Sequence, residues 1–121
     1  MYGRGYGVFD TDDDVMVKVT FGDIGYAYEI YTVYCGSYRE AKSKAIDAAV
    51  DDLKLISASQ YDESTFTIVF RYRDYKETDT EYEVSAYNVE DAIEAAKKEA
   101  SFEFSAEIVD VDDPNFGYKD Y

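Results

Sequence analysis

The residues of this 121-residue chain that could do chemistry are its carboxylates, its tyrosines and one thiol. Histidine is absent, which removes the commonest general base and the commonest metal ligand. Cys35 therefore has no imidazole to activate it, and on an inward-facing strand position it reads as a buried structural thiol. Gly3-Arg4-Gly5-Tyr6-Gly7 neither follows a strand nor opens a helix, and no Lys-Ser/Thr pair comes after it, so it does not cradle phosphate. Paired carboxylates could do acid/base work only with one member desolvated, and no Asp or Glu interrupts an apolar face. The clusters Asp10-Asp12-Asp13-Asp14 and Asp110-Asp112-Asp113 suggest a cation. A calcium loop, however, needs glycine at its sixth position and glutamate at its twelfth. Val15 and Phe21 stand there in the first cluster, Asn115 and Tyr121 in the second. The expectation is a protein without a catalytic site, metal site or cofactor.

What remains is the distribution of charge. The chain holds 27 acidic and 12 basic residues, net −15. Such a field repels nucleic acid and anionic membrane and attracts basic surfaces. Residues 1–60 hold 10 acids and 6 bases, residues 61–121 hold 17 and 6. From Glu99 to Asp113 six acids follow one another with no base between them.

The elements that position these groups can be read from period and punctuation. The chain has ordinary single-domain length, without a Pro- or Ser-rich linker. A glycine-rich N-terminal arm (1–13) precedes strict alternation at Val15, Val17, Val19 and Phe21, the period of a half-buried strand. Gly22-Asp23 turns into a second strand, Ile24 to Cys35. Ser37 with Glu40 forms a capping box, and Ala41, Ala45, Ala48 and Ala49 give a narrow apolar helix face, predicting a helix over 37–53. A third strand runs from about Leu55 to Tyr61.

The same events then recur: alternation at Phe66, Ile68, Phe70 and Tyr72, a polar turn at Asp74 to Asp79, and a strand through Tyr82 and Val84. Asn88 with Asp91 caps a helix over 88–101, and Phe102, Phe104, Ala106 and Ile108 make a last strand. An offset of 51 superposes Tyr31 on Tyr82, Ser37 on Asn88 and Ala41 on Ala92. Offsets of 49 for Val19 on Ile68 and 48 for Ser57-Ala58 on Ser105-Ala106 imply small indels. The predicted fold is one α+β domain of two ββαβ units, 14–61 and 64–112, followed by a tail, 113–121. A mainly antiparallel sheet of about six strands carries two helices on one face.

Strand phase sorts the side chains. With Tyr82, Val84, Phe102 and Phe104 inward, Glu81, Glu83, Glu103 and Glu107 point outward, at multiples of about 6.6–6.8 Å. Together with Asp74, Glu77, Asp79, Asp110, Asp112 and Asp113 they form the candidate partner-binding surface. On the first half, Tyr26, Tyr28, Ile30 and Tyr34 form an outward stripe with the habit of contact residues. That stripe is the second candidate interface, through which a homodimer could form.

Carboxylates regularly spaced along strands, with interleaved tyrosines, resemble the surfaces of nucleic-acid mimics. These are the small acidic phage-type inhibitors exemplified by anti-CRISPR and anti-restriction proteins. The resemblance covers size, charge and the stretch from Asp74 to Asp113. It implies stoichiometric inhibition without catalysis: carboxylates take up the Arg and Lys of a basic, nucleic-acid-binding enzyme. The partner is then a protein, neither nucleic acid nor membrane. With no signal peptide and no stretch near the roughly 20 apolar residues of a membrane span, the expected location is cytoplasmic (the host cytoplasm if the chain is phage-encoded). The alternative is a homo-oligomeric interaction module that pairs through the tyrosine face or a strand edge.

Overall fold

The computed structural model describes residues 12–112. Most of the expected N-terminal arm, the 113–121 tail and Asp113 with it lie outside the described residues. In chain order the elements are β1 (Asp13–Phe21), β2 (Tyr28–Cys35), α1 (Tyr38–Asp51), β3 (Leu53–Gln60), β4 (Thr65–Tyr72), a 3-10 turn (Lys76–Thr78), β5 (Thr80–Ser85), α2 (Val89–Ser101) and β6 (Phe104–Val111). Among the described residues the fold is α+β, with six antiparallel strands and two helices.

Both helices start where their caps place them. The Glu40 amide donates to Ser37 Oγ at 3.1 Å, and Glu40 Oε1 accepts from the amide of Gly36, one residue before the cap, at 3.1 Å, a variant of the capping box. Asn88 Oδ1 accepts from the Asp91 amide at 2.8 Å. Ala41, Ala45 and Ala49 on α1 and Ala92, Ala96 and Ala100 on α2 are fully buried. Four-residue spacing keeps each trio on one stripe. Side chains this small let each helix lie close against its sheet. Opposite them stand the β1 valines with Phe21, and the β4 set Phe66, Ile68, Phe70 and Tyr72, all buried in one core. Cys35 is part of that core at 1% exposure, as its inward phase predicts, and burial pushes its thiol pKa up.

The strands fall into two sheets of three, ordered β2-β1-β6 and β3-β4-β5. Each sheet therefore joins the hairpin of one half to the last strand of the other half. α1 packs on β1, β2 and β6, α2 packs on β3, β4 and β5, and the helices touch each other. Each helix thus covers a sheet of its own. A single residue, Asp52, connects α1 to β3, and Phe102-Glu103 connect α2 to β6. Connections this short favour exchange of a terminal strand over its return beside its own hairpin.

One offset of 51 residues matches the helices, the hairpin registers and the ends of the β1–β6 and β3–β4 ladders. It carries Val15 to Phe66, Phe21 to Tyr72, Tyr31 to Tyr82, Ala45 to Ala96 and Leu53 to Phe104, all pairs at matching register or helix positions. The two ladders differ from each other at Val17 and Lys18 against Ile68 and Val69, because their bulges fall at different places. The offsets of 49 and 48, and the indels they imply, do not hold. Alternation alone misled at the offset of 49, because a slip of two residues preserves strand phase and only the cross-strand register distinguishes the choices, whereas the offset of 48 rested on the shared Ser-Ala pair.

Two boundaries also differ from expectation. β2 begins at Tyr28, because Phe21 N–H donates to the Ala27 carbonyl and Ala27 N–H to the Ile24 carbonyl, holding 22–27 as a turn. Tyr26 consequently leaves the β2 stripe and packs edge-on against Tyr75, with ring centroids 6.1 Å apart. Phe102 is not an inward strand residue. It caps α2, its amide donating to the helix carbonyls, and is 78% exposed.

Candidate binding surfaces

The outward face of β2-β1-β6 brings the two sequence-derived surfaces together. Register places Thr32, Met16 and Asp110 in one row, Ile30, Lys18 and Glu107 in the next, and Tyr28, Thr20 and Ser105 in a third. Neighbouring strands lie about 4.8 Å apart, so the β2 stripe and the β6 carboxylates flank a single strand. Met16, Tyr28, Ile30 and Val109 are exposed there. Lys18 stands opposite Glu107, yet its Nζ sits 4.5 Å over the Tyr28 ring. The ammonium is drawn to the aromatic face. Tyr34 is exposed at the far end of β2, beside Asp14 in register.

The other carboxylates are dispersed. Glu81 and Glu83 are outward and exposed as expected, but on β5, opposite Val69 and Thr67 in the second sheet. Glu103 is exposed in the turn before β6 rather than on the strand. Asp112 is exposed, its amide donating to the Asp14 carbonyl. Asp79 accepts a two-pronged contact from Arg71, at 2.6 and 2.9 Å. Asp74 accepts from Lys54 Nζ at 2.5 Å. These hydrogen bonds hold both carboxyl pKa values below the usual range. Asp74 and Asp79 are thus engaged within the chain. Glu77 lies near Tyr26, whose phenol pKa is raised by desolvation and then by that carboxylate.

Sequence reasoning missed a polar cluster where the two sheets meet. Tyr31 on β2 donates to Asp52 Oδ2 at 2.5 Å, and its hydroxyl lies 2.7 Å from that of Tyr72 on β4. Arg73 Nη1 reaches the same Asp52 oxygen at 3.0 Å, and Nη2 reaches Glu29 at 3.4 Å. Arg73 holds a left-handed backbone, φ 53°, which strains a residue with a Cβ. The cluster joins β2, the α1–β3 connection and the end of β4. Its one sequence signal is the polar residue Asp52 in the single-residue connection. A small cavity of about 160 Å³ beside it is lined by Asp52, Lys54, Arg73 and Asp74, and both cations there are already paired.

Comparison with protein-family models, with curated proteins and with solved structures finds no match. Function must therefore be argued from the surfaces themselves. Among the described residues no group of three or more Cys, Asp or Glu is arranged to hold a metal ion. No helix among them is long and apolar enough to cross a membrane.

The buried phenols make an alkaline prediction. Burial, above all, raises Tyr72 and Tyr82 from the ordinary value of 10.0 to about 12, and Tyr31 still further, with the Asp52 hydrogen bond adding to it. A group whose folded pKa is raised contributes stability that is complete below its unfolded pKa and lost as pH rises through the folded one. Stability is therefore expected to fall between pH 10 and about 12. Circular dichroism recorded with tyrosinate absorbance should show loss of structure coinciding with the last phenols to ionise. Their complete ionisation in a fully folded chain would contradict the assignment.

Proposed function

We propose that the chain is a non-catalytic acidic binding protein that occupies the basic groove of a nucleic-acid-handling enzyme and inhibits it stoichiometrically. The observation that carries this reading is which carboxylates lack a cation. Glu29, Glu40, Asp52, Asp74, Asp79 and Glu94 are paired with the chain's own Lys and Arg. Glu81, Glu83, Glu103 and Glu107 take part in none of these pairs. On the β2-β1-β6 face, Glu107 and Asp110 also adjoin Met16, Ile30 and Tyr28, the mixture of carboxylate and apolar contact that a desolvated interface with Arg or Lys uses.

The test is displacement of labelled duplex from enzymes captured out of a host lysate. The chain should release nucleic acid at a stoichiometric end point, with strong salt dependence. Reversing Glu107 and Asp110 to Lys is expected to weaken binding by about 2–5 kcal/mol if these charges are buried at the interface, and to leave the fold intact. The same reversal at Asp47 and Asp51 on α1 is the control. Equal loss from both pairs would reduce the effect to generic charge attraction, and retention of binding by the β6 variant would overturn the reading.

One observation favours the second reading, self-association. Among the described residues β3 is an edge strand, and from Leu55 to Gln60 it is exposed and uncharged, in a chain of net −15. Its counterpart β6 carries Glu107 and Asp110, and charge of that kind guards an edge against pairing. Salt-tolerant dimerisation in sedimentation runs, abolished by Ala58→Lys, is the outcome that selects this reading.

A further inference from the structure

The offset of 51 that relates the halves makes the Tyr31 cluster a template for its counterpart. Tyr31 corresponds to Tyr82, Asp52 to Glu103, Tyr72 to Phe21, Glu29 to Thr80 and Arg73 to Gly22. Backbone geometry supports the match. Gly22 and Arg73 both hold positive φ, 62° and 53°. The Arg73 amide donates to the Asp52 carbonyl, and the Gly22 amide donates to the Glu103 carbonyl.

The side chains differ in one respect that matters. In the first half a guanidinium sits against the carboxylate that the tyrosine hydroxyl also engages. In the second half the residue at that place is glycine. A Cβ built on Gly22 meets nothing within 4 Å, so the space a side chain would take there is open. Glu103 is exposed and forms no ion pair among the described residues, unlike Asp52. Tyr82 is 7% exposed, and its hydroxyl is buried without a hydrogen-bond partner. The nearby Thr80 hydroxyl donates to the Thr78 carbonyl, and its closeness to the phenol lowers the Tyr82 pKa by less than burial and Glu103 raise it. A buried phenol hydroxyl left unsatisfied is costly. Beyond burial, the Glu103 carboxylate and then Glu99 push the Tyr82 phenol pKa up, so that hydroxyl lies in an anionic surrounding. Phe102, next to Glu103 and 78% exposed, offers a ring face of the kind on which guanidinium stacks.

We propose that Glu103, backed by Tyr82 and flanked by Phe102, receives an arginine side chain of the partner, which takes there the place that Arg73 takes beside Asp52. This deepens the function proposed above and rests on it for the identity of the partner. The guanidinium pins the carboxylate, and the Tyr82 hydroxyl then donates to it as Tyr31 donates to Asp52. Planar, two-pronged recognition favours Arg over Lys.

The probe is acetyl-Gly-Arg-Gly-amide, with its Lys counterpart, titrated into the full chain and followed by amide NMR shifts. The Arg peptide is expected to move the Gly22, Glu103 and Phe104 amides saturably, and the Lys peptide to bind several-fold more weakly. Glu103→Gln should abolish the response and Asp47→Asn should leave it unchanged. Gly22→Arg, which supplies the guanidinium from within at a φ that Arg73 already tolerates, should abolish it as well. An equal response to both peptides, or one that survives Glu103→Gln, overturns the site even if Gly22→Arg perturbs the fold. A missing Gly22 response overturns the site whatever partner capture does. Partner capture that survives reversal of Glu107 and Asp110 overturns the proposed function, while a peptide response at Gly22 still upholds the site.

Discussion

Cutting the chain between Tyr61 and Thr65 is expected to leave two fragments, neither of which folds as a monomer. The first fragment keeps β1, β2, α1 and β3, but β6 is missing from its sheet and β3 has lost β4. The second lacks β1 for β6 and β3 for β4. A two-stranded hairpin under one helix is at best marginal, and units of about 50 residues have little core to spare. Each fragment also loses half of the shared core, in which Phe21 stacks on Tyr72 at 6.0 Å and Tyr72 meets Phe104 edge-on at 5.1 Å. Mixing equimolar fragments should restore the helical signal and a cooperative unfolding transition. A single fragment is expected to gain structure only by pairing with a second copy through the same strand exchange. A folded monomeric fragment in sedimentation and circular dichroism would mean that the final strand can close on its own hairpin, contrary to the exchange seen here.

Truncating Tyr72 carries the largest expected effect of any single substitution. Its ring is fully buried and touches Phe21 and Phe104 from β1 and β6, so it packs against the opposite sheet. Tyr72→Ala should cost about 3–5 kcal/mol from lost burial and the cavity left behind. Tyr72→Phe keeps the ring and removes one hydroxyl contact, while Tyr31 still donates to Asp52. That variant should lose about 1 kcal/mol. Asp52→Ala takes the acceptor from Tyr31 and the partner from Arg73 together. The Asp52–Arg73 pair is more than a third exposed, so solvent screening limits that loss to about 1–2 kcal/mol. Urea unfolding orders the three. If Tyr72→Phe proved as damaging as Tyr72→Ala, the hydroxyl network and not ring packing would hold the sheets together.

Much of this protein is determined locally, and that part was legible in the sequence. Apolar residues at period two fixed the inward faces of β1, β4, β5 and β6, and with them the outward direction of Glu81, Glu83 and Glu107. Cap residues at Ser37 and Asn88 fixed where both helices begin, and four-residue alanine spacing fixed the faces they bury. These are properties of a few consecutive residues, which the chain specifies by sterics and hydrogen bonding alone. Other features were decided only by tertiary structure. Which strand pairs with which is not encoded in alternation, so neither the division into two sheets nor the exchange of β3 and β6 could be read beforehand. A two-residue slip keeps every face, so the common offset of 51 emerged only from the cross-strand register. Asp74 and Asp79 looked like free surface charge until the β3 and β4 register put Lys54 and Arg71 within reach. The Tyr31–Asp52–Arg73 cluster draws on residues 42 positions apart in sequence, and the matching backbone contact joins Gly22 to Glu103, 81 apart. Only the exchange of terminal strands brings such residues together, because a polar contact between distant segments depends on how the sheets pack and not on any local preference.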